Sequence, residues 1–203
     1  MKVRELAAWL LALFSIGASL AYASRVGQDN TADIVAIDQL WSSYEHKLDA
    51  AEAGEVAELF TPSGGYVLMS IDSRTVRLKP TGYSPSSAGD GTSGIPGGGC
   101  KALGHMAIVN FLTNLGLGNG HSRYPRDHHM IADEWIELHG NTARMKAYWV
   151  IVTGRDFGAG QTNPTMKDSG RYDVTFVRTD EGWKVNEERV IFDGDMPTYP
   201  CRN

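Results

Sequence analysis

From residue 31 onward the apolar positions recur at helical spacing, with Ile34, Ile37, Trp41, Tyr44 and Leu48 falling three or four residues apart, as on one face of an amphipathic helix. Thr31 is suited to cap it, and Asp33 sits where the helix dipole favours an anion. Gly54 interrupts the pattern. Val56, Leu59 and Phe60 then predict a short second helix, stopped by Pro62, which lacks the N–H needed to continue. Residues 66–71 read as a strand, with residues 74–78 as a hairpin partner. Over residues 80–99 the chain becomes Gly, Ser and Pro with hardly an apolar side chain. Such a stretch sustains no packed element, so it reads as a surface loop, either an insertion without a role or a lid over a pocket. Helical spacing returns over residues 102–115, with Leu103, Met106, Val109 and Leu112 on one stripe, and Gly116 ends it.

Thereafter the pattern is that of strands. Residues 130–138 and 143–153 flank His139-Gly140-Asn141, and residues 171–178 and 183–192 flank Thr179-Asp180-Glu181-Gly182, which predicts two long hairpins. Ala143, Met145, Ala147, Trp149 and Ile151 alternate with polar Arg144 and Lys146, so one face of that strand is buried. Helices first and antiparallel strands last is an α+β order, in which a curved sheet wraps around N-terminal helices.

The beginning of the chain changes the picture of where the protein works. Lys2 and Arg4 precede an apolar stretch over residues 6–20, and Ala21-Tyr22-Ala23 is a small-x-small cleavage pattern, so residues 1–23 read as a signal peptide and residues 24–203 as a single exported domain, periplasmic or secreted. The apolar stretch falls short of the roughly 20 residues a spanning helix needs, so no stable membrane insertion is expected after cleavage. Cys100 and Cys201 are the only cysteines, and in an oxidising compartment an isolated pair reads as a disulfide. The net charge of -5 without a basic cluster argues against a nucleic-acid partner.

A long first helix holding Tyr44 and Asp49, a short helix ending in Leu59-Phe60, a strand opening with a histidine, a turn running into Gly140-Asn141-Thr142-Ala143, and a last hairpin carrying Gly182-Trp183-Lys184-Val185 together resemble the SnoaL-like branch of the nuclear-transport-factor-2-like superfamily. Its members include scytalone dehydratase and bile acid 7α-dehydratase. The resemblance covers most of residues 33–192 and implies a cone-shaped α+β barrel around a deep apolar pocket, which often hosts lyase, isomerase or hydrolase chemistry without a cofactor. It also implies active-site roles for Tyr44 and Asp49, at the spacing found in the bile acid enzyme, and for His129, at the position of a pocket histidine in both dehydratases. The sequence departs from those enzymes at Val152, where one has a second acid, at Gly154, near the second histidine of the other, and at the final arginine, which is out of step.

A histidine with a pKa near 6.5 can both take and give a proton at neutral pH. In this reading His129 abstracts a proton, Asp49 orients the imidazole, and Tyr44 polarises a carbonyl or assists a departing hydroxyl. Alternation lets only one of His128 and His129 enter a cavity and does not decide which. Trp41, Trp149, Tyr172, Phe176 and Arg189 are the candidate lining, with the arginine able to hold an anionic oxygen. Asp127, His128, His129 and Asp133 lack the converging spacing of a metal site, and no metal is assigned. The expected partner is a small, apolar, oxygenated molecule. Two other functions fit the same residues: a non-catalytic carrier of an apolar ligand, and an interaction module that self-associates through the outer face of the sheet.

Overall fold

The computed structural model describes residues 30–70, 92–94, 99–118, 120–122, 127–154 and 164–194. The chain divides into two compact units, Met1–Ile34 and Val35–Asn203. Of the first, only residues 30–34 are described, as the lead-in and first turn of a helix. The expected signal peptide, the partner strand at 74–78, most of the Gly-rich loop and Cys201 lie outside the described residues.

In chain order the elements are α1 (Thr31–Asp49), α2 (Ala53–Ala57), β1 (Phe60–Ser70), β2 (Thr92–Gly94), β3 (Cys100–Leu103), α3 (His105–Leu115), the short β4 (Leu117–Gly118) and β5 (His121–Ser122), then β6 (Asp127–His139), β7 (Thr142–Gly154), β8 (Pro164–Thr179) and β9 (Gly182–Phe192). Among the described residues seven strands form one sheet in the order β2-β3-β1-β9-β8-β7-β6, while β4 and β5 pair separately. Within the large sheet β1 and β9 run parallel and every other pair is antiparallel. This is the expected α+β class, with a curved, open sheet against N-terminal helices. Among the described residues no helix is long and apolar enough to cross a membrane.

The predicted stripe of α1 is buried from Ile37 onward, with Ile37, Trp41, Tyr44 and Leu48 inward and Ile34 exposed, and it carries one residue the pattern did not announce, Glu45. The helix ends earlier than expected. Ala51 takes a left-handed φ of 59°, and the Glu52 N–H donates to the Lys47 carbonyl, closing the last turn, whereas Gly54 sits inside α2. The second correction concerns residues 102–115. Residues 100–103 pair with both β1 and β2, so α3 starts only at His105. Its buried stripe is Ala107, Ile108, Phe111 and Leu112, leaving Leu103 and Met106 exposed. Residues 92–94, within the expected loop, are the edge strand β2.

Of the register shifts in the large sheet, two bear on which side chains face inward near the site. On β6 the register shifts between Ala132 and Trp135 opposite β7, and Asp133 has a φ of 54°. On β9, Thr175 pairs with Glu187 but Phe176 pairs with Val185, leaving Asn186 as the extra residue. An extra residue reverses which side chains point inward beyond it. Trp183 and Val185 are buried before the bulge, and Glu188, Val190 and Phe192 after it. Strict alternation from Val185 would have turned Glu187 and Arg189 inward instead.

Candidate active site

Asp49 is the last residue of α1, and His129 is the third residue of β6. The His129 Nδ1–H donates to Asp49 Oδ1 at 2.7 Å, and its backbone N–H lies 3.3 and 3.4 Å from the two carboxylate oxygens. A carboxylate only accepts, so the ring proton sits on Nδ1 and Nε2 is left for other chemistry. The two side chains are 12% and 22% exposed, a half-sheltered position rather than bulk water. His128 turns outward at 70% exposed, with Nδ1 3.6 Å from Asp49 Oδ2. The alternation left open by the sequence is thereby decided in favour of His129. Burial pulls the His129 pKa down, but the Asp49 hydrogen bond and the charges of Glu45 and Asp49 outweigh it and raise the value.

Glu45 lies one turn before Asp49, at the i, i+4 spacing that stacks side chains along one helix face. Its carboxyl is buried and neither oxygen has a hydrogen-bond partner among the described residues. Burial pushes its pKa up to about 7, while His129 and the Tyr172 hydroxyl act in the opposite direction. Tyr172 thus stands close enough to influence Glu45 without meeting hydrogen-bond geometry.

Tyr44 does not join Asp49 and His129. Its hydroxyl donates to Glu188 Oε1 at 2.7 Å and lies 3.5 Å from the Tyr66 hydroxyl. Its proton is therefore directed to a protein acceptor rather than toward the His129–Asp49 pair. Trp41, Trp149, Tyr172 and Phe176 do come together as buried aromatics. Trp41 stacks on Tyr44 with ring centroids 4.5 Å apart and meets Tyr172 edge-on at 5.1 Å and Phe176 at 6.3 Å, while Trp149 lies 6.0 Å from Tyr172. Arg189 is no part of this cluster. The β9 bulge turns it outward, half-exposed and ion-paired with Glu187 at 2.7 Å, so it lines no inner site. His105 faces the Phe60 carbonyl through Nε2 at 3.0 Å. Two depressions of about 450 Å³ each lie along the polar side chains of β6 to β9, and neither includes His129 or Asp49.

Sequence reasoning missed Glu45 and Glu188. Glu45 carried a signal, since it shares a helix face with Asp49, whereas Glu188 depends on a bulge that no residue pattern announces.

Residues 88–189, half of the chain, match the family described as SnoaL-like domain, and the chain belongs to that family. Similar solved structures include an NTF2-like protein with a cystatin-like fold from Novosphingobium aromaticivorans, 18% identical over 86% of this chain and 88% of that one, with a TM-score of 0.56. A candidate scytalone dehydratase from the same organism is 17% identical over 85% and 93%, with a TM-score of 0.55. ActVI-ORFA from Streptomyces coelicolor is 15% identical over 79% and 96%, at 0.54. At these identities the likeness is one of fold. No curated protein matches the chain.

Proposed function

We propose that the protein is a cofactor-independent lyase or isomerase that works by general acid/base catalysis on a small, largely apolar, oxygenated molecule. The reading rests on the 2.7 Å His129–Asp49 contact beside the buried carboxyl of Glu45, which has no hydrogen-bond partner among the described residues. The family membership and a structural neighbour named for scytalone dehydration support it. Asp49 holds the imidazole by Nδ1, so Nε2 takes a proton from the carbon next to a carbonyl. Elimination also needs a proton for the departing hydroxyl, and Glu45, neutral below about pH 7, supplies it: the C–O bond breaks, the hydroxyl takes the carboxyl proton and water leaves. In an isomerisation the proton on His129 returns to a different carbon. The aromatic cluster of Trp41, Trp149, Tyr172 and Phe176 supplies an apolar surface that favours a flat ligand. Export to the periplasm or outside the cell, and a Cys100–Cys201 bridge, belong to the same proposal.

The test follows proton abstraction without requiring the natural substrate. With α-tetralone, a bicyclic aromatic ketone, in heavy water, the wild-type protein is expected to accelerate exchange of the protons beside the carbonyl, read by NMR. His129→Ala should lose that acceleration by a factor of about 10² or more while keeping its near-UV circular dichroism. Undiminished exchange in the variant removes His129 as the base.

A further inference from the structure

Glu188 is wholly buried on β9, at 0% exposure. One carboxyl oxygen, Oε1, accepts the Tyr44 hydroxyl proton, and Tyr66, its register neighbour on β1, stands behind Tyr44 at 3.5 Å. The other oxygen, Oε2, has no partner among the described residues. The titratable groups that face Glu188 are Tyr44, Tyr66, Tyr172 and Glu45, and none of them brings a positive charge. A carboxylate buried without a cation is costly, so the group keeps its proton. With the Tyr44 hydroxyl donating to Oε1 at 2.7 Å, the carboxyl proton carried on Oε2 is a donor without an acceptor among the described residues.

An independent observation points the same way. The indole Nε1 atoms of Trp41 and Trp149 are also buried without partners among the described residues, and both rings border Tyr172. Buried polar groups are nearly always satisfied, so a set of orphan donors in one aromatic cluster asks for acceptors. Among flat ligands that stack on indole and phenol rings, the acceptors are ketone and phenol oxygens.

We propose that Glu188 is a ligand-binding group of this site, donating from Oε2 to a ketone or phenol oxygen of an aromatic ligand, with Tyr44 and Tyr66 holding the carboxyl in place. The assignment rests on the site proposed above but is read by binding rather than turnover, so either can fail while the other stands.

Equilibrium dialysis of the full chain at pH 6 compares 2-naphthol, naphthalene and the ammonium probe 2-naphthylmethylamine. The wild type is expected to bind 2-naphthol about tenfold more tightly than naphthalene, the value of one added hydrogen bond in a buried site. Glu188→Gln, which keeps an N–H donor, retains the preference, and Glu188→Leu loses it. Equal binding of the two neutral probes to the wild type overturns the assignment, as does a preference that survives in Glu188→Leu. So does tighter binding of the ammonium probe than of 2-naphthol, which marks an ionised carboxylate. If Glu188→Leu does not fold, the wild-type comparisons and Glu188→Gln still decide.

Discussion

Asp49 takes both the ring and the backbone N–H of His129, so one carboxylate fixes the tautomer, the ring orientation and the start of β6 together. Such a partner stabilises imidazolium over imidazole, which is why the His129 pKa rises despite burial. Asp49→Asn removes the charge and keeps the shape. The His129 ring protons, followed by NMR, are expected to titrate above 6.5 in the wild type and at a clearly lower pH in Asp49→Asn; an unchanged titration would mean the carboxylate is not what sets it. This pair was legible in the sequence through the family resemblance, since His129 and Asp49 stand far apart in the chain and no spacing rule joins them. Glu188 and Arg189 were not. Alternation continued from Val185 turns Arg189 inward, as the candidate lining had it, and Glu188 outward, and only the bulge at Asn186 sends the acid inward and the base outward.

At the scale of elements, the late hairpins were the most legible part of the chain, because alternation over a half-buried strand is a strong, local signal. Ala143, Met145, Ala147 and Trp149 are all buried as read. The start of α3 was misread because residues 100–103 are apolar enough to extend a helical stripe, and their strand state is imposed by β1 and β2 on either side, a tertiary influence that overrides local pattern. Strand β8 carries a constraint of the same non-local kind. A Cβ at Gly170 would collide with the Ile191 carbonyl and lie 2.6 Å from the Trp149 ring. Neither obstacle is a flexible chain end, so Gly170→Ala forces the β7–β8–β9 contact apart. It is expected to lower stability by about 3 kcal/mol, near the upper end for overpacking, in urea unfolding. A loss under 1 kcal/mol would show that Trp149 can move aside.

For the whole molecule, the buried acids set the direction in which stability depends on pH. Glu45 has its pKa raised from 4.5 to about 7, so between those values the folded state holds a proton that the unfolded chain has released. Where the folded state binds more protons, stability falls as pH rises. Its contribution is fully present below about pH 4.5 and lost as pH climbs through about 7, an interval worth about 3 kcal/mol at 1.36 kcal/mol per unit. Glu188, raised by burial, acts in the same sense. His129, also raised, stabilises the fold below about 6.5 and loses that contribution above its own folded value. The three slopes add, which places the greatest stability on the acid side of neutrality. In Glu45→Gln the neutral shape remains while the titration is gone, so the drop between pH 5 and pH 8 should shrink by roughly 2 to 3 kcal/mol. Urea midpoints at the two pH values measure it, and a drop as large as in the wild type would place the Glu45 carboxyl in water rather than among Tyr172 and the rings beside it.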